Sequence, residues 1–444
     1  MTSIVRGHRT TRSSLLAACV LVACCTGPLP AALSGCQSRD APARVLTQEE
    51  WRRVQRSLLP EEPVVQHPID AVFHESIRLI GYDLSSDPIR VGSPVEVTLF
   101  WEVLQPVRER WWLHTSLLAN LEARSDRNAV DGLYAVHQWV PGHRIVDHFT
   151  LDIPPGMDGG SAELRVGFRQ GDRWMPVSRQ GEGALRDDGT LSIGTIRTRW
   201  FPPVYTVRRA SGTIRMDGRL DDLAWRRALP SSSLVLARDG LDADPDLETT
   251  FRMLWDDDAL YVGIEGADQD IWATHTERDA NLWEEEVFEL FLDPGGEGGP
   301  YVELQINPLG TVFDALFPSA SDRNLQRARQ WTIEGLETAV HVDGDPTRRD
   351  TADRSWSAEI RIPWAALPGL DAPPADGRTL RANVYRYERP AEGEPILLAW
   401  SAVGGPSFHR PSRFGQLVLR GEPRQAPARP TPTATPTPTP TPDD

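Results

Sequence analysis

The side chains best suited to chemistry lie in residues 281–314, where two runs alternate between apolar and polar positions. Trp283 and Glu289 fall in the polar register of the first run, and Gln305 and Asn307 fall in that of the second. A glycine-rich stretch separates the two runs. An aromatic ring beside carboxylate and amide groups suits a sugar, since the ring packs on the C–H face and the polar groups bond the hydroxyls.

The alternation predicts two β-strands, because successive side chains of a strand point to opposite faces of a sheet. If the two strands pair across residues 293–300, their polar positions line one surface while their apolar positions enter the core. The alternative is a solvated outer face of an antiparallel sheet that binds nothing.

The carboxylates of the first run do not form a catalytic pair. Glycosidases use two carboxyl groups at a fixed separation around the scissile bond. Glu286 and Glu289 are three residues apart, so on a strand they point to opposite faces. The sequence therefore favours a non-catalytic protein, and any link to catalysis would come from association with glycoside hydrolases.

Four aspartates offer oxygen ligands of the kind that calcium prefers, namely Asp256, Asp258, Asp268 and Asp270. The alternative is a solvated acidic turn. The sequence has no EF-hand spacing, and its ten histidines include no HExxH zinc motif. Calcium is therefore the metal that we consider for this chain.

Charge and cysteine usage limit the partners and the compartment. The formal net charge of −16 over 444 residues argues against nucleic acid as a partner. All four cysteines lie within the first 36 residues, so the rest of the chain has no disulfide and no cysteine metal site.

Residues 1–36 have the organisation of a bacterial lipoprotein signal peptide. Three arginines precede an apolar run over residues 15–23 that is too short to span a membrane. Cys36 follows Leu-Ser-Gly and Cys24 follows Leu-Val-Ala, and either cysteine fits as the lipid anchor. We expect an envelope protein that is held on the outer membrane or cell surface by this anchor.

The rest of the chain predicts an all-β protein with two β-sandwich domains. Residues 37–63 form a tether with a short helix, and residues 64–200 form a first sandwich of short alternating segments between turn signals. Residues 203–421 form a second sandwich. Residues 422–444 end in alternating Pro and Thr and predict an extended, disordered tail.

Residues 203–421 resemble a family 9 carbohydrate-binding module, or the wider family-9-like (DOMON-like) group, in eight segments that occur in family order. The segments are IRMDGRLDDLAWRRA (214–228), MLWDDDALYVGIEGADQD (253–270), NLWEEEVFELFLDPG (281–295), YVELQINPLGTVFD (301–314), WSAEIRIPWAAL (356–367), LRANVYRYE (380–388), LAWS (398–401) and FHRPSRFGQLVL (408–419).

This resemblance implies a β-sandwich that holds a sugar between two tryptophans, with a glutamate and amides on the hydroxyls. Trp283 and Glu289 have the family's spacing of six residues, and Trp400 matches the second tryptophan. The further hydrogen-bonding candidates are Gln305, Asn307, Asn383 and Arg386. The family has an arginine near the position of Gln305, so this chain departs from the pattern there. Some family members also carry a structural calcium.

Residues 64–200 resemble an immunoglobulin-like module found in extracytoplasmic parts of large bacterial membrane glycosyltransferases. The pieces that carry this resemblance include GYDL (81–84), RVGSPVEVTLFW (90–101) and LRVGFRQGDRW (164–174). The resemblance implies a spacer or interaction role and no activity.

Family-9-like sandwiches share their fold with b-type cytochrome domains, which gives a rival function. A haem would need axial ligands, and the candidates here are Met253, His275, His341 and His409. Our leading hypothesis is an envelope lipoprotein that binds a poly- or oligosaccharide without catalysis and supports carbohydrate catabolism. The alternatives are a structural or protein-interaction protein that has lost sugar binding and a b-haem electron-transfer domain.

Overall fold

The computed structural model describes residues 46–350, 352–370 and 373–421. The predicted signal peptide with Cys24 and Cys36, most of the predicted tether before the helix, and the predicted Pro/Thr tail all lie outside the described residues. Within the described part of the chain, no helix combines the length and the apolar character needed to cross a membrane.

The N-terminal half of the described chain has one helix followed by short strands. Helix α1 covers Gln48–Arg56, within the predicted tether. The strands are β1 (Leu58–Leu59), β2 (His67–Phe73), β3 (Ile77–Leu84), β4 (Ile89–Arg90), β5 (Pro94–Val103), β6 (Trp112–Leu118), β7 (Glu122–Arg127), β8 (Arg144–Asp152), β9 (Gly160–Gln170), β10 (Arg173–Trp174), β11 (Val177–Arg179), β12 (Ala184–Leu185) and β13 (Leu191–Arg199).

These strands form two sheets that pack into a sandwich. One sheet has the order β1-β8-β5-β3-β2-β11, and the other has the order β12-β13-β9-β6-β7, with β10 beside β9 and β4 beside β13. Trp101 of β5 is fully buried, and its ring lies 5.1 Å from that of Phe168 on β9 in the opposite sheet. Alternate residues of β5 are buried in the same way, because one face of the strand packs into this core.

The C-terminal half continues with β14 to β25 and one short helix. The strands are β14 (Val204–Arg209), β15 (Val235–Leu236), β16 (Thr249–Trp255), β17 (Ala259–Ala267), β18 (Val287–Asp293), β19 (Tyr301–Ile306), β20 (Val312–Phe317), β21 (Glu337–Asp343), β22 (Ser355–Pro363), β23 (Thr379–Glu388), β24 (Ile396–Ala399) and β25 (Gly415–Arg420), and helix α2 spans Leu325–Ala328.

All twelve of these strands join in one curled network. Its order is β20-β19-β18-β23-β25-β14-β16-β17-β22-β21, with β24 bonded to β23 and to β15. Strand β23 pairs with β18 along most of its length, with β25 near its start and with β24 near its end. The predicted all-β fold with two sandwiches is therefore confirmed.

Strands β18 and β19 are the two alternating runs of the sequence, and they pair as antiparallel neighbours. Glu289 lies opposite Gln305, and Leu290 lies opposite Leu304. Every residue of both strands is buried, the polar positions included. A solvated outer face is therefore the wrong description of the polar register, because other parts of the domain cover it.

The even positions of β18 enter the main apolar core of the C-terminal sandwich. Phe288 is fully buried and stacks on Trp356 of β22, with 3.6 Å between ring centroids and 10° between ring planes. This contact joins strands that lie far apart in the order of the sheet, so the network closes around a common core.

The two sandwiches contact each other through polar groups. The buried Arg413 guanidinium donates to the carbonyls of Pro155 and Met157, at 2.8 and 3.1 Å. The Asn120 amide donates to the Gly404 carbonyl at 2.7 Å. These bonds satisfy backbone carbonyls of both domains at once, so they fix how the domains meet.

We expect Phe288→Ala to lower the free energy of unfolding by about 3–5 kcal/mol, because it deletes a fully buried ring and leaves a cavity against Trp356. Phe201→Ala is the matched control, since that ring is 45% exposed, and it should cost less than about 1 kcal/mol. Urea unfolding followed by tryptophan fluorescence measures both values. Equal losses would contradict the assignment of Phe288 to the core.

Candidate functional site

Glu289, Glu303 and Gln305 lie together on the odd-numbered face of β18 and β19, and we call these three side chains the polar cluster. Their exposed fractions are 2%, 5% and 1%. The Gln305 amide donates from Nε2 to Oε1 of Glu303 at 2.6 Å. The alternation that the sequence shows therefore brings Glu289 and Gln305 together, and it adds Glu303, which the sequence placed in the same register without a role.

Two oxygens of the polar cluster have no hydrogen-bond partner although they are buried, namely Oε2 of Glu303 and Oε1 of Gln305. Nε2 of His409 lies 3.7 Å from that Glu303 oxygen. A buried polar atom without a partner costs about 1–3 kcal/mol, so such atoms call for a ligand or water. Oε1 of Gln305 is an acceptor, whereas Oε2 of a protonated Glu303 can donate or accept, and a hydroxyl group can bond to both.

Aromatic rings surround the polar cluster. Tyr385 lies opposite Glu289 on β23, and Phe408 stacks on it with 4.0 Å between centroids and 7° between planes. Tyr301 bonds through its hydroxyl to Nδ1 of His409 at 2.8 Å. Sequence patterns could have found Tyr385 from its register in β23. They could not have found Phe408, because it belongs to a loop between strands that only the fold brings here.

Trp283 contacts Phe313, which lies next to the polar cluster. It lies in a short 3-10 helix, Leu282–Glu284, rather than in the strand that the alternation predicted. Its half-buried ring meets Phe313 edge to face at 5.6 Å, and Phe313 lies directly opposite Gln305 on β20. Arg389 donates to the Trp283 carbonyl, which holds the helix in place. Trp283 is thus an aromatic at the rim of the polar cluster.

Burial sets the charge of the polar cluster. Desolvation raises the pKa of Glu303 to about 8, although the bond from Gln305 opposes this. Desolvation, with the charge of Glu303, also raises the pKa of Glu289 well above its usual value. Burial lowers the pKa of His409 to about 4, so at neutral pH this imidazole is uncharged, like the protonated carboxyl groups beside it.

Asn307 does not join the polar cluster as predicted, because its side-chain amide forms hydrogen bonds to backbone groups around its own turn. Its Nδ2 donates to the His275 carbonyl at 2.8 Å, and its Oδ1 accepts from the backbone N–H groups of Leu309 and Thr311. The side chain is fully buried. It shapes the turn after β19 and is not directed at the polar cluster.

Trp400 and Asn383 have structural roles in the fold. Trp400 is 8% exposed and belongs to the main core, where it meets Phe251 edge to face at 5.2 Å. Asn383 donates to the Ser401 carbonyl and accepts from the Ser401 N–H, so its amide bridges β23 to the chain after β24. The structure therefore does not set Trp400 across a cleft from Trp283, whose ring packs against a separate aromatic cluster.

Trp400 does border an open groove of about 390 Å³ beside β14, whose walls also include Tyr205 and Ser231. None of the residues of the polar cluster lines this groove. The groove and the polar cluster are therefore different places on the sandwich, and of the described residues at the two places, only those of the polar cluster have buried oxygens without hydrogen-bond partners.

Arg386 lies on the even, core-side face of β23 and is fully buried. It donates to Oδ2 of Asp268 at 2.9 Å, to the Ala267 carbonyl at 2.7 Å, and to Glu388. All of these partners lie away from Glu289, because residues 385 and 386 point to opposite faces of the strand. Arg386 is an internal ion-pair partner rather than a sugar ligand.

The four aspartates proposed for calcium do not come together. Asp256 caps its own turn, accepting from the N–H groups of Asp258 and Ala259. Strand β17 separates this turn from Asp268 and Asp270, and its nine residues, at about 3.3 Å each, span roughly 30 Å. Asp270 pairs with Arg349. One ion cannot bind all four, so the predicted set is corrected here.

The haem candidates are spread over different surroundings. Met253 is fully buried in the main core, while His409 borders the aromatic cluster of the opposite face. His275 lies half-buried near Glu285, and His341 lies on β21 at the far end of the sheet order. The placement supplies no pair of axial ligands on one face.

Comparison with known proteins finds a family match in the C-terminal sandwich. Residues 243–419 match the family described as Carbohydrate-binding family 9, which confirms the resemblance seen in the sequence. A solved structure of a candidate carbohydrate-binding protein from Bacteroides uniformis is similar at 21% identity and a TM-score of 0.42, covering 50% of this chain and all of the other. No curated protein matches this chain.

The protonation of Glu303 predicts a pH dependence of stability. The folded protein keeps this proton up to about pH 8, whereas the unfolded chain loses it near the ordinary value of 4.5. Unfolding therefore releases a proton in this window, and Glu303 lowers the free energy of unfolding by about 1.4 kcal/mol for each pH unit of increase.

We expect Glu303→Gln to remove this contribution, so that the variant loses less stability than the parent between pH 5 and pH 8. Glu297→Gln is the control, since Glu297 is exposed. Urea unfolding at a series of pH values gives the slopes. A Glu303→Gln slope equal to that of the parent would show that Glu303 is ionised in the folded protein.

Proposed function

Because residues 243–419 match carbohydrate-binding family 9, we propose that this chain binds a carbohydrate at the polar cluster and performs no chemistry on it. The observation that carries the proposal is the pair of buried oxygens without hydrogen-bond partners, one on Glu303 and one on Gln305, beside aromatic rings. Sugar hydroxyls are donors of the right kind, and an aromatic ring beside them takes the apolar face of the sugar.

Trp283 is the stacking platform in this proposal. It is the half-buried aromatic at the rim, and it connects to Gln305 through Phe313. Trp400 is not part of the proposed site, since it packs in the core. A single platform above a deeply buried polar cluster suits the terminal unit of a glycan better than the middle of a long chain, because only an end can enter a confined space.

The charges of the polar cluster favour a neutral sugar. Among the ion pairs of the described residues, the partner of Glu303 is the His409 ring, which is uncharged at neutral pH. The arginine that the family pattern has near this position is replaced by Gln305. An acidic sugar would find no ion-pair partner in Glu289, Glu303, Gln305 or the uncharged His409, and a desolvated anion without such a partner costs free energy.

A glycan array probed with the full chain, followed by calorimetry with cello- and xylo-oligosaccharides, tests the proposal. We expect binding that Trp283→Ala weakens at least tenfold, or about 1.4 kcal/mol, because the stacking surface is lost. Trp112→Ala is the matched control, since Trp112 is a 38% exposed indole of the N-terminal sandwich. It should leave affinity unchanged.

Two results would reject the proposed function. One is the absence of binding to any neutral saccharide at millimolar concentration, and the other is an unchanged affinity in Trp283→Ala. The first would favour the structural or protein-interaction role. Absorbance in the Soret region after addition of haemin would instead support the electron-transfer role.

We also propose that the protein is an envelope lipoprotein, anchored through Cys24 or Cys36, that captures glycan for carbohydrate catabolism. The support is the basic and apolar organisation of residues 1–36 and the position of the cysteines. Mass spectrometry of the membrane-extracted protein should find a diacylglyceryl group on one of these two residues. Recovery of an unmodified chain that still contains both cysteines would contradict lipidation.

A further inference from the structure

Three exposed apolar side chains lie at one end of the N-terminal sandwich, and we call them the apolar patch. They are Trp51 of α1, Leu104 just after β5 and Val140 shortly before β8. Their exposed fractions are 43%, 43% and 48%. Single exposed apolar residues are ordinary on a protein surface, whereas a connected group is typical of a contact surface.

Side-chain and backbone contacts connect the members of the apolar patch. The Trp51 ring meets Tyr134 edge to face, with 6.3 Å between centroids, and the Tyr134 hydroxyl bonds to Nδ1 of His143 at 3.2 Å. The backbone N–H of His143 donates to the Val140 carbonyl, and its own carbonyl accepts from the N–H of the residue that precedes Leu104. The three apolar residues therefore belong to one stretch of surface.

Helix α1 adds positive charge beside the apolar patch. Val54 is fully buried and holds the helix on the sandwich, while Arg52, Arg53 and Arg56 are exposed. The helix has three arginines and two glutamates, whereas the whole chain has a formal net charge of −16. An anionic surface repels most of this protein, so α1 is the kind of place where such a surface is tolerated.

The position of α1 in the chain keeps it close to the proposed lipid anchor. Residues 37–47 separate Cys36 from the helix, and a chain of this length reaches at most roughly 40 Å. From Cys24 the limit is roughly 80 Å. An anchored protein therefore meets the bilayer at a high effective concentration, so that weak contacts are enough for docking.

The apolar patch lies at the end of the N-terminal sandwich that is remote from the C-terminal sandwich. Strand β8 begins at Arg144, beside the turn that contains Val140, and ends at Asp152, just before the loop whose carbonyls accept from Arg413. Its nine residues span roughly 30 Å. A surface that covers the patch therefore leaves the C-terminal sandwich uncovered.

We propose that the apolar patch and the arginines of α1 dock on the surface of a lipid bilayer, an inference that rests on the lipoprotein part of the proposed function. Trp51 suits the interface, where an indole keeps its ring in apolar surroundings and its N–H in water. Leu104 and Val140 enter the apolar edge of the headgroup region, and the arginines contact lipid phosphates. Docking then points the proposed sugar site away from the membrane.

Fluorescence quenching of the full chain, extracted from membranes and reconstituted into vesicles, tests this proposal. The vesicles contain phosphatidylcholine and phosphatidylglycerol, and bromine atoms on the acyl chains quench indoles that contact the bilayer. Trp51→Phe should remove most of the quenching. Trp112→Phe is the matched control, since Trp112 is a 38% exposed indole on the other sheet of the same sandwich, and it should leave quenching unchanged.

Two further variants separate the apolar and the charged contributions. Val140→Asp should reduce quenching as much as Trp51→Phe does, because a carboxylate leaves the apolar edge, and a residue that is 48% exposed tolerates the change without loss of fold. Replacement of Arg52, Arg53 and Arg56 by Gln should reduce quenching to the level seen in vesicles of phosphatidylcholine alone. High salt should weaken quenching of the parent in the same way, because salt screens exposed charges.

Equal quenching in the parent and in Trp51→Phe would overturn the proposal. Mass spectrometry of the same preparation reports the lipid anchor separately. A lipidated parent without quenching of Trp51 keeps the anchor but rejects docking, and it would favour a protein partner for the apolar patch. An unlipidated parent whose Trp51 is quenched rejects the anchor and supports docking.

Discussion

The C-terminal sandwich depends on the alternation of β18 and its neighbours, because both faces of these strands are buried and each face holds different polar groups. Phe288 and Leu290 enter the core on one face, while Glu289 lies on the other. A slip of one residue between paired strands exchanges the two faces. Pairing with β19 on one side and β23 on the other fixes the register, so the fold keeps the polar cluster on the face opposite the apolar core.

Buried carboxyl groups of this domain differ in whether hydrogen bonds satisfy their oxygens. Glu359 is fully buried but accepts from the Trp225 indole and from the backbone N–H groups of Asp217 and Gly218. Its role is internal. Glu303 is buried to a similar degree, yet its Oε2 has no hydrogen-bond partner among the described residues.

Much of the architecture followed from local patterns. The eight family segments and the period-two alternation predicted an all-β chain and the antiparallel pairing that sets Glu289 beside Gln305. These features are local or near-local, so residue types and spacing carry them. Trp400 shows the limit: its motif matched a ligand-binding tryptophan, but packing against Phe251 places its ring in the core.

The sequence by itself determined the strand pattern, the face on which Glu289, Glu303 and Gln305 lie, and the resemblance of residues 203–421 to carbohydrate-binding family 9. Only the tertiary structure decided which of the candidates share a site. It covered the polar face with Phe408 from a distant loop, and it drew Asp268, Glu286 and Glu388 together from three separate strands. The physical reason is that alternation fixes the side of a strand on which a residue lies, whereas its neighbours there depend on long-range pairing and packing.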